Sequence, residues 1–278
     1  MSKRRQRYSL KQLRCVRSWH IIAGLGGILV AATVAVAAHA DLPTPLMHLA
    51  GIDPTIIEDM RYAGANNFTG SAVPGYDAPA CILARPVALA LARVQADLRP
   101  LGLSLKVYDC YRPERAARAF VDWARQPADA WGRQFFPRTE KSQLFAIGYI
   151  ARRSSHANGG AVDLTLVKLP EAVATVEPDR LYGSCNSPEA LRAPDSSVDM
   201  GTGYDCFDVL SGINPAGLTP EQGRMRRTLA DAMTRRGFQG LPKEWWHFTF
   251  PGISAVTFDV PVTANTREAP AGKAPAGK

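Results

Sequence analysis

The chain has 278 residues, 46% of them hydrophobic and 21% charged, enough length and apolar content to pack one ordinary core and not the composition of a disordered, collagenous or multi-span membrane protein. The formal charge of +8 is concentrated at one end: Lys3, Arg4, Arg5, Arg7, Lys11, Arg14 and Arg17 supply seven units before residue 41, with no acid among them, and the remainder holds 26 basic against 25 acidic residues. A near-neutral body offers no basic groove for a phosphate backbone, so no nucleic-acid partner is expected.

In chain order, the basic stretch ending at Arg17 runs into the apolar, small-residue segment Ile21 to Ala38, and then into Ala38-His39-Ala40 before Asp41. This is the form of an export signal with a small-x-small cleavage site. Residues 1–40 are therefore expected to direct the protein to the periplasm, with Asp41 as the first mature residue. The alternative is an uncleaved N-terminal anchor, since eighteen apolar residues can just span a bilayer; it would be the chain's only membrane contact.

Asp41 to Gly75 is expected to be irregular with short extended pieces. The spacing of Val87, Leu91, Val94 and Leu98 predicts a helix over Arg85 to Arg99, ended by Pro100 and Gly102. Leu103, Leu105 and Val107 alternate as in a half-buried strand running to Asp109. Pro113 opens a second helix with Ala116, Ala117, Phe120, Val121 and Ala124 on one face. A glycine-bearing loop leads into a strand over Ala161 to Val167, and the Pro-, Ser- and acid-rich stretch 168–198 is expected to be an inserted loop. Thr219, Pro220 and Gln222 form a capping box with proline in the first helical position, and that helix runs to Arg236 before Gly237 stops it. Trp245 to Phe250 predicts a closing strand. Beyond Pro261 the chain turns polar and ends in APAGK twice over, which predicts a disordered tail over 261–278. Strands and helices in this irregular order indicate an α+β domain over 41–260.

Cys15 lies in the leader, which leaves Cys81, Cys110, Cys185 and Cys206 in the mature chain. An even number suits an oxidising compartment. Four cysteines allow three pairings and the sequence alone does not choose among them. The expected set is Cys81 with Cys110 and Cys185 with Cys206, the second stapling the long loop. A four-thiolate zinc site is disfavoured because no CxxC spacing occurs.

Three histidines remain after the leader: His48, His156 and His247. His156 lies in SSHANGGAVD, seven residues before Asp163, and His247 lies in EWWHFTF, three residues after Glu244. Two histidines and a carboxylate are the ligand set of a catalytic zinc, filling three tetrahedral positions and leaving a fourth for water. Residues three apart on a strand point to opposite faces, so Glu244 shares a cavity with His247 only from a turn before the strand, where Pro242 stands. That assigns Asp163 to the metal and Glu244 to proton transfer. A histidine beside two tryptophans is commonly just a packed core residue; the coincidence of two such histidines, each beside a carboxylate, favours the site. His48, near Pro43 and Pro45, is expected on the surface. Arg112 stands where a strand opens onto a helix, a position from which a guanidinium can stabilise an oxyanion; local pairing with Asp109 or Glu114 is the equal alternative.

YDCYRPERA, SSHANGGAVDLTL, MGTGYD and EWWHFT together resemble the VanX-type D-alanyl-D-alanine dipeptidases, a branch of the zinc D,D-peptidases that also includes D,D-carboxypeptidases. The resemblance runs from about Asp59 through Thr249. It implies a single domain of the D,D-peptidase (hedgehog-like) type with a central antiparallel sheet. It also implies one Zn²⁺ per chain on His156, Asp163 and His247, with Glu244 as base and Arg112 stabilising the transition state. Asp205 would hold the substrate ammonium, Ser154 would touch its carboxylate, and Tyr62 and Tyr76 would be pocket tyrosines. Where the family often has glycine before YRP this chain has Cys110, which suits a disulfide to Cys81. The loop 168–198 is longer than the family's and is expected to reshape the pocket mouth. The function implied is hydrolysis of the small dipeptide D-Ala-D-Ala in peptidoglycan turnover or scavenging, with a D,D-carboxypeptidase or a non-catalytic zinc-stabilised binding module as alternatives. Oligomeric state is not legible.

Overall fold

The computed structural model describes residues 46–172, 175–177 and 180–264; the segment expected to be an export signal and the last part of the expected tail lie outside them. Among the described residues seven strands and three helices follow one another as β1 (Leu46–His48), β2 (Ile57–Glu58), β3 (Ile82–Ala84), α1 (Arg85–Leu98), β4 (Leu103–Asp109), α2 (Glu114–Arg125), β5 (Ala161–Lys168), α3 (Pro220–Arg235), β6 (Gln239–Leu241) and β7 (Glu244–Thr249), with short 3-10 turns between them. β1 and β3 pair as a small antiparallel ribbon, and the other five strands form one sheet in the order β2-β4-β5-β7-β6. The fold is α+β, as expected. The central sheet departs from the purely antiparallel expectation at one edge, where β2 runs parallel to β4.

Local chemistry explains the helices. Val87, Leu91, Val94 and Leu98 of α1 are all fully buried, each contributing about 1.5–3 kcal/mol of apolar burial. Thr219 accepts from the Gln222 backbone N–H at 3.2 Å while the Gln222 side chain accepts from the Thr219 N–H at 2.8 Å, so the predicted capping box starts α3. α1 and α3 pack on each other and on β4 and β5. Val162, Leu164 and Leu166 of β5 belong to that core, so the alternating residues Asp163 and Thr165 turn to the opposite face. A second, aromatic cluster gathers Tyr62, Phe68, Phe120, Trp123, Phe136 and Phe207.

Strand β4 is buried on both sides rather than half-buried. Its polar positions are paired: Ser104 with Gln95 of α1 at 2.9 Å, and Lys106 with Asp195 of the long loop. His48, expected at the surface, is half-buried in β1 opposite Ile82. The packed chain also continues past residue 260, since Val262 is fully buried and bridges Tyr76. Cys81 is joined to Cys110 and Cys185 to Cys206. Among the described residues no helix is long and apolar enough to cross a membrane.

Candidate metal centre and active site

Two strand irregularities build the site. Along β4 and β5 the pairing is regular from Leu103 to Val107; a bulge at Tyr108 then sets Asp109, not Tyr108, opposite Asp163. On its other side Asp163 pairs with His247 of β7. Asp109, Asp163 and His247 therefore form one row across three adjacent strands, with side chains on a common face. His156 arrives from outside the sheet, in a 3-10 turn over Ser155–Asn158 whose cap, Ser154, accepts from the His156 N–H at 3.2 Å. Gly159 ends that turn at φ 72°; a Cβ there would sit 2.5 Å from Leu46 Cδ2 and 2.8 Å from the Ala84 nitrogen, so only glycine delivers His156 to the row.

His247 Nδ1 lies 2.9 Å from Asp163 Oδ1, His156 Nε2 lies 3.4 Å from the same oxygen, and the two ring nitrogens are 3.2 Å apart. Ligands about 2.0–2.2 Å from a tetrahedral zinc stand roughly 3.3 Å from one another, so this triangle has the dimensions of three zinc ligands. The tautomer suits it as well. His156 Nδ1 donates to the Cys110 carbonyl at 2.6 Å, which leaves Nε2 as the lone-pair nitrogen. Burial opposes the charge on Asp163, but His156 and His247 outweigh it and hold the carboxyl well below its ordinary range. Burial likewise opposes the His247 cation, and Asp163 more than offsets it.

Glu244 is not in a turn before the strand, as expected, but is the first residue of β7. The parity argument is met another way: Gly240 of β6 pairs with Phe248 but the next residue, Leu241, pairs with Glu244. Trp245, Trp246 and His247 have no partners within that slip, and it lets Glu244 line the same cavity as His247. Burial pushes the Glu244 carboxyl up to about 7, Asp163 adding to the effect and His247 opposing it.

That cavity, of about 270 Å³, is also lined by Arg112, Tyr62, Asp205 and Ser154. Of the alternatives weighed for Arg112, the local pairing is present: its guanidinium grips Asp109 Oδ2 with Nε at 2.9 Å and Nη2 at 2.7 Å and lies over the Phe120 ring at 5.0 Å, while the residue also lines the cavity. Asp205 sits at φ 54°, a left-handed conformation that aspartate tolerates better than most residues, and accepts from the Tyr62 hydroxyl at 2.7 Å. Burial first, and then the Asp163 charge, push its carboxyl well above the usual range.

Tyr76 does not line the cavity. It stands behind Arg112, its hydroxyl donating to Asp109 Oδ1 at 2.6 Å. The long loop is a second departure: no described residue of 168–198 lines the cavity, whose wall includes instead Gly148 to Ala151 and Arg153 to Ser155. The loop folds over Arg61, Lys106 and Tyr108, where it roofs a separate cavity of about 280 Å³ with no histidine in its lining. Sequence reasoning also passed over Asp109 as a site residue and Tyr204, whose hydroxyl lies 3.0 Å from Asp163 Oδ2. The bulge that brings Asp109 into the row leaves no mark in residue spacing.

A family model described as D-ala-D-ala dipeptidase, peptidase M15, matches residues 43–175 and 190–263. A D-alanyl-D-alanine dipeptidase of Enterococcus faecalis is 34% identical over 191 residues, 68% of this chain and 83% of that protein. One from Streptomyces coelicolor is 32% identical over 192 residues, 69% of this chain and 84% of that protein. Among solved structures, VanYB in complex with D-Alanine-D-Alanine aligns at a TM-score of 0.33 and 15% identity, covering 62% of this chain and 74% of that one.

Proposed function

The chain belongs to the D-ala-D-ala dipeptidase family, and from that premise we propose that it is an exported zinc peptidase that hydrolyses D-Ala-D-Ala to two D-alanines. The observation that carries the reading is the triangle of His156, Asp163 and His247 opening onto a cavity that also holds a buried acid on either role: Glu244 for proton transfer and Asp205 for the substrate's amino end. His156 Nε2, Asp163 Oδ1 and His247 Nδ1 would hold one zinc per chain. Bound there, zinc would polarise the scissile carbonyl and lower the pKa of a water from about 15.7 toward about 7.

The chain's own residues do the rest. Glu244, whose carboxyl is tuned upward by burial, takes the proton of the attacking water and returns it to the leaving amine. Arg112, immobilised by Asp109, meets the oxyanion with a guanidinium already oriented. Asp205 ionises against the substrate ammonium, and Tyr62 holds the receiving oxygen in place. Ser154, which caps the His156 turn and lines the cavity, would meet the substrate carboxylate.

Export to the periplasm, with a mature domain from Asp41, is supported by the leader and by two disulfides that need an oxidising compartment. Peptidoglycan turnover or scavenging follows as the physiological setting. A D,D-carboxypeptidase would need room for a stem peptide beyond the amino end, where the buried Asp205 stands. A binding module would need no base in the cavity. The deciding experiment is steady-state kinetics on D-Ala-D-Ala, on its N-acetyl derivative and on muropeptides. Leaving Asp205 without its cation costs on the order of 1–3 kcal/mol, so the N-acetyl compound is expected to be roughly 5- to 150-fold poorer. Equal efficiency on both, or release of D-Ala from muropeptides at the same rate, would replace the dipeptidase reading with the carboxypeptidase.

A further inference from the structure

We propose that Tyr204 is a positioning residue for the metal centre: its phenol O–H donates to Asp163 Oδ2 and so keeps Oδ1 turned toward the two imidazoles. The inference rests on the metal reading of His156, Asp163 and His247 and adds to it a determinant of metal affinity outside the ligand set.

The two oxygens of Asp163 have different surroundings. Oδ1 faces His247 Nδ1 at 2.9 Å and His156 Nε2 at 3.4 Å. Oδ2 has the Tyr204 hydroxyl at 3.0 Å, while the nearest guanidinium nitrogen, Arg112 Nη2, stays at 3.7 Å, beyond hydrogen-bond reach. Tyr204 has one proton to give and two oxygens in range, the second being the Tyr62 hydroxyl at 3.3 Å. Tyr62 spends its own proton on Asp205, and a charged, nearer carboxylate takes the Tyr204 proton over a neutral phenol.

The ring is well placed to hold this bond. Tyr204 is buried, stacked on Tyr108 with centroids 4.5 Å apart and 20° between planes, and met edge-on by Trp246 at 5.6 Å. It does not line the cavity that holds Glu244 and Arg112; it lines the separate cavity behind it. Its hydroxyl therefore meets the site at Asp163 and, more distantly, at the Tyr62 hydroxyl. The terminal torsion of an aspartate is soft, and without the phenol the carboxylate is free to swing Oδ2 toward Arg112 and lose its presentation to the metal.

The test is zinc affinity by chelator competition on the full chain, stripped and reloaded, for wild type, Tyr204→Phe and Tyr62→Phe, with thermal unfolding of each metal-free protein. Phenylalanine keeps both ring contacts. Tyr204→Phe should bind zinc about 10–100-fold more weakly, the usual effect of losing a partner of a metal ligand, with the metal-free Tm unchanged within a few degrees. Tyr62→Phe should leave zinc affinity unchanged within about twofold. Wild-type zinc affinity in Tyr204→Phe, or a fall in Tm with affinity intact, would overturn the inference and leave the metal reading standing, as would equal weakening in Tyr62→Phe. A wild type that takes up no zinc overturns both.

Discussion

Glu244 and Asp205 are both buried acids in one cavity, and their neighbours give them different tasks. Glu244 is tuned to about 7 in a spot where His247 partly relieves its isolation, whereas Asp205 is pushed well above the carboxylate range and keeps a tyrosine on one oxygen. The Glu244→Gln variant should keep its zinc, measured by metal analysis, and lose roughly 10²- to 10⁴-fold in kcat; retention of full activity would remove its role. Asp205→Asn should raise KM for D-Ala-D-Ala and erase most of the discrimination against the N-acetyl dipeptide, read from the ratio of kcat/KM values. His156, Asp163 and His247 were legible in the sequence because histidine is scarce here and both histidines stand near a carboxylate. Asp109, Tyr204 and the true place of Tyr76 were not, because their importance comes from cross-strand neighbours that no local spacing records.

At the scale of elements, the helices were legible from their apolar stripes and caps, and β4, β5 and β7 from their composition. The short strands β2 and β6 were not, being two and three residues long, too short to show a period. Nor were the bulge at Tyr108 and the slip in β7, although these two irregularities align Asp109 with Asp163 and let Glu244 share a cavity with His247. The long loop was recognised as a loop but given the wrong task. Its Asp195 is bound to Arg61 Nη2 at 2.9 Å, to the Tyr108 hydroxyl at 2.5 Å and to Lys106, so it fastens the loop to β4 rather than shaping the active cavity. Burial opposes the Asp195 charge, but Arg61 and Lys106 prevail and its pKa falls to about 2, against about 3.9 in an unfolded chain. The stabilisation is therefore complete above about pH 4 and is lost as pH falls toward 2, a contribution on the order of 2 kcal/mol. Denaturant unfolding from pH 6 to 2 should show a steeper acid loss in wild type than in Asp195→Asn, which should already be less stable at pH 6; parallel curves would contradict the assignment.

Over the whole molecule, both disulfides end beside the centre. Cys110 carries the carbonyl that orients His156, and Cys206 follows Asp205 directly. Closing loops of 29 and 21 residues stabilises a domain by about 2–4 kcal/mol each. The double variant Cys185→Ser, Cys206→Ser should accordingly unfold on the order of 10 °C lower, a shift that differential scanning calorimetry would detect and whose absence would deny the staple a structural role. The account as a whole stands on two ligands from one stretch of the chain, His156 and Asp163, and a third from far along it, His247, meeting around one cation. Calorimetric titration of the chelated protein with zinc, beside the same titration of His156→Ala, tests that meeting most directly. One equivalent per chain should bind tightly to wild type and restore dipeptide hydrolysis, with binding weakened by orders of magnitude in the variant; undiminished binding to His156→Ala would place the metal, and with it the chemistry, somewhere else.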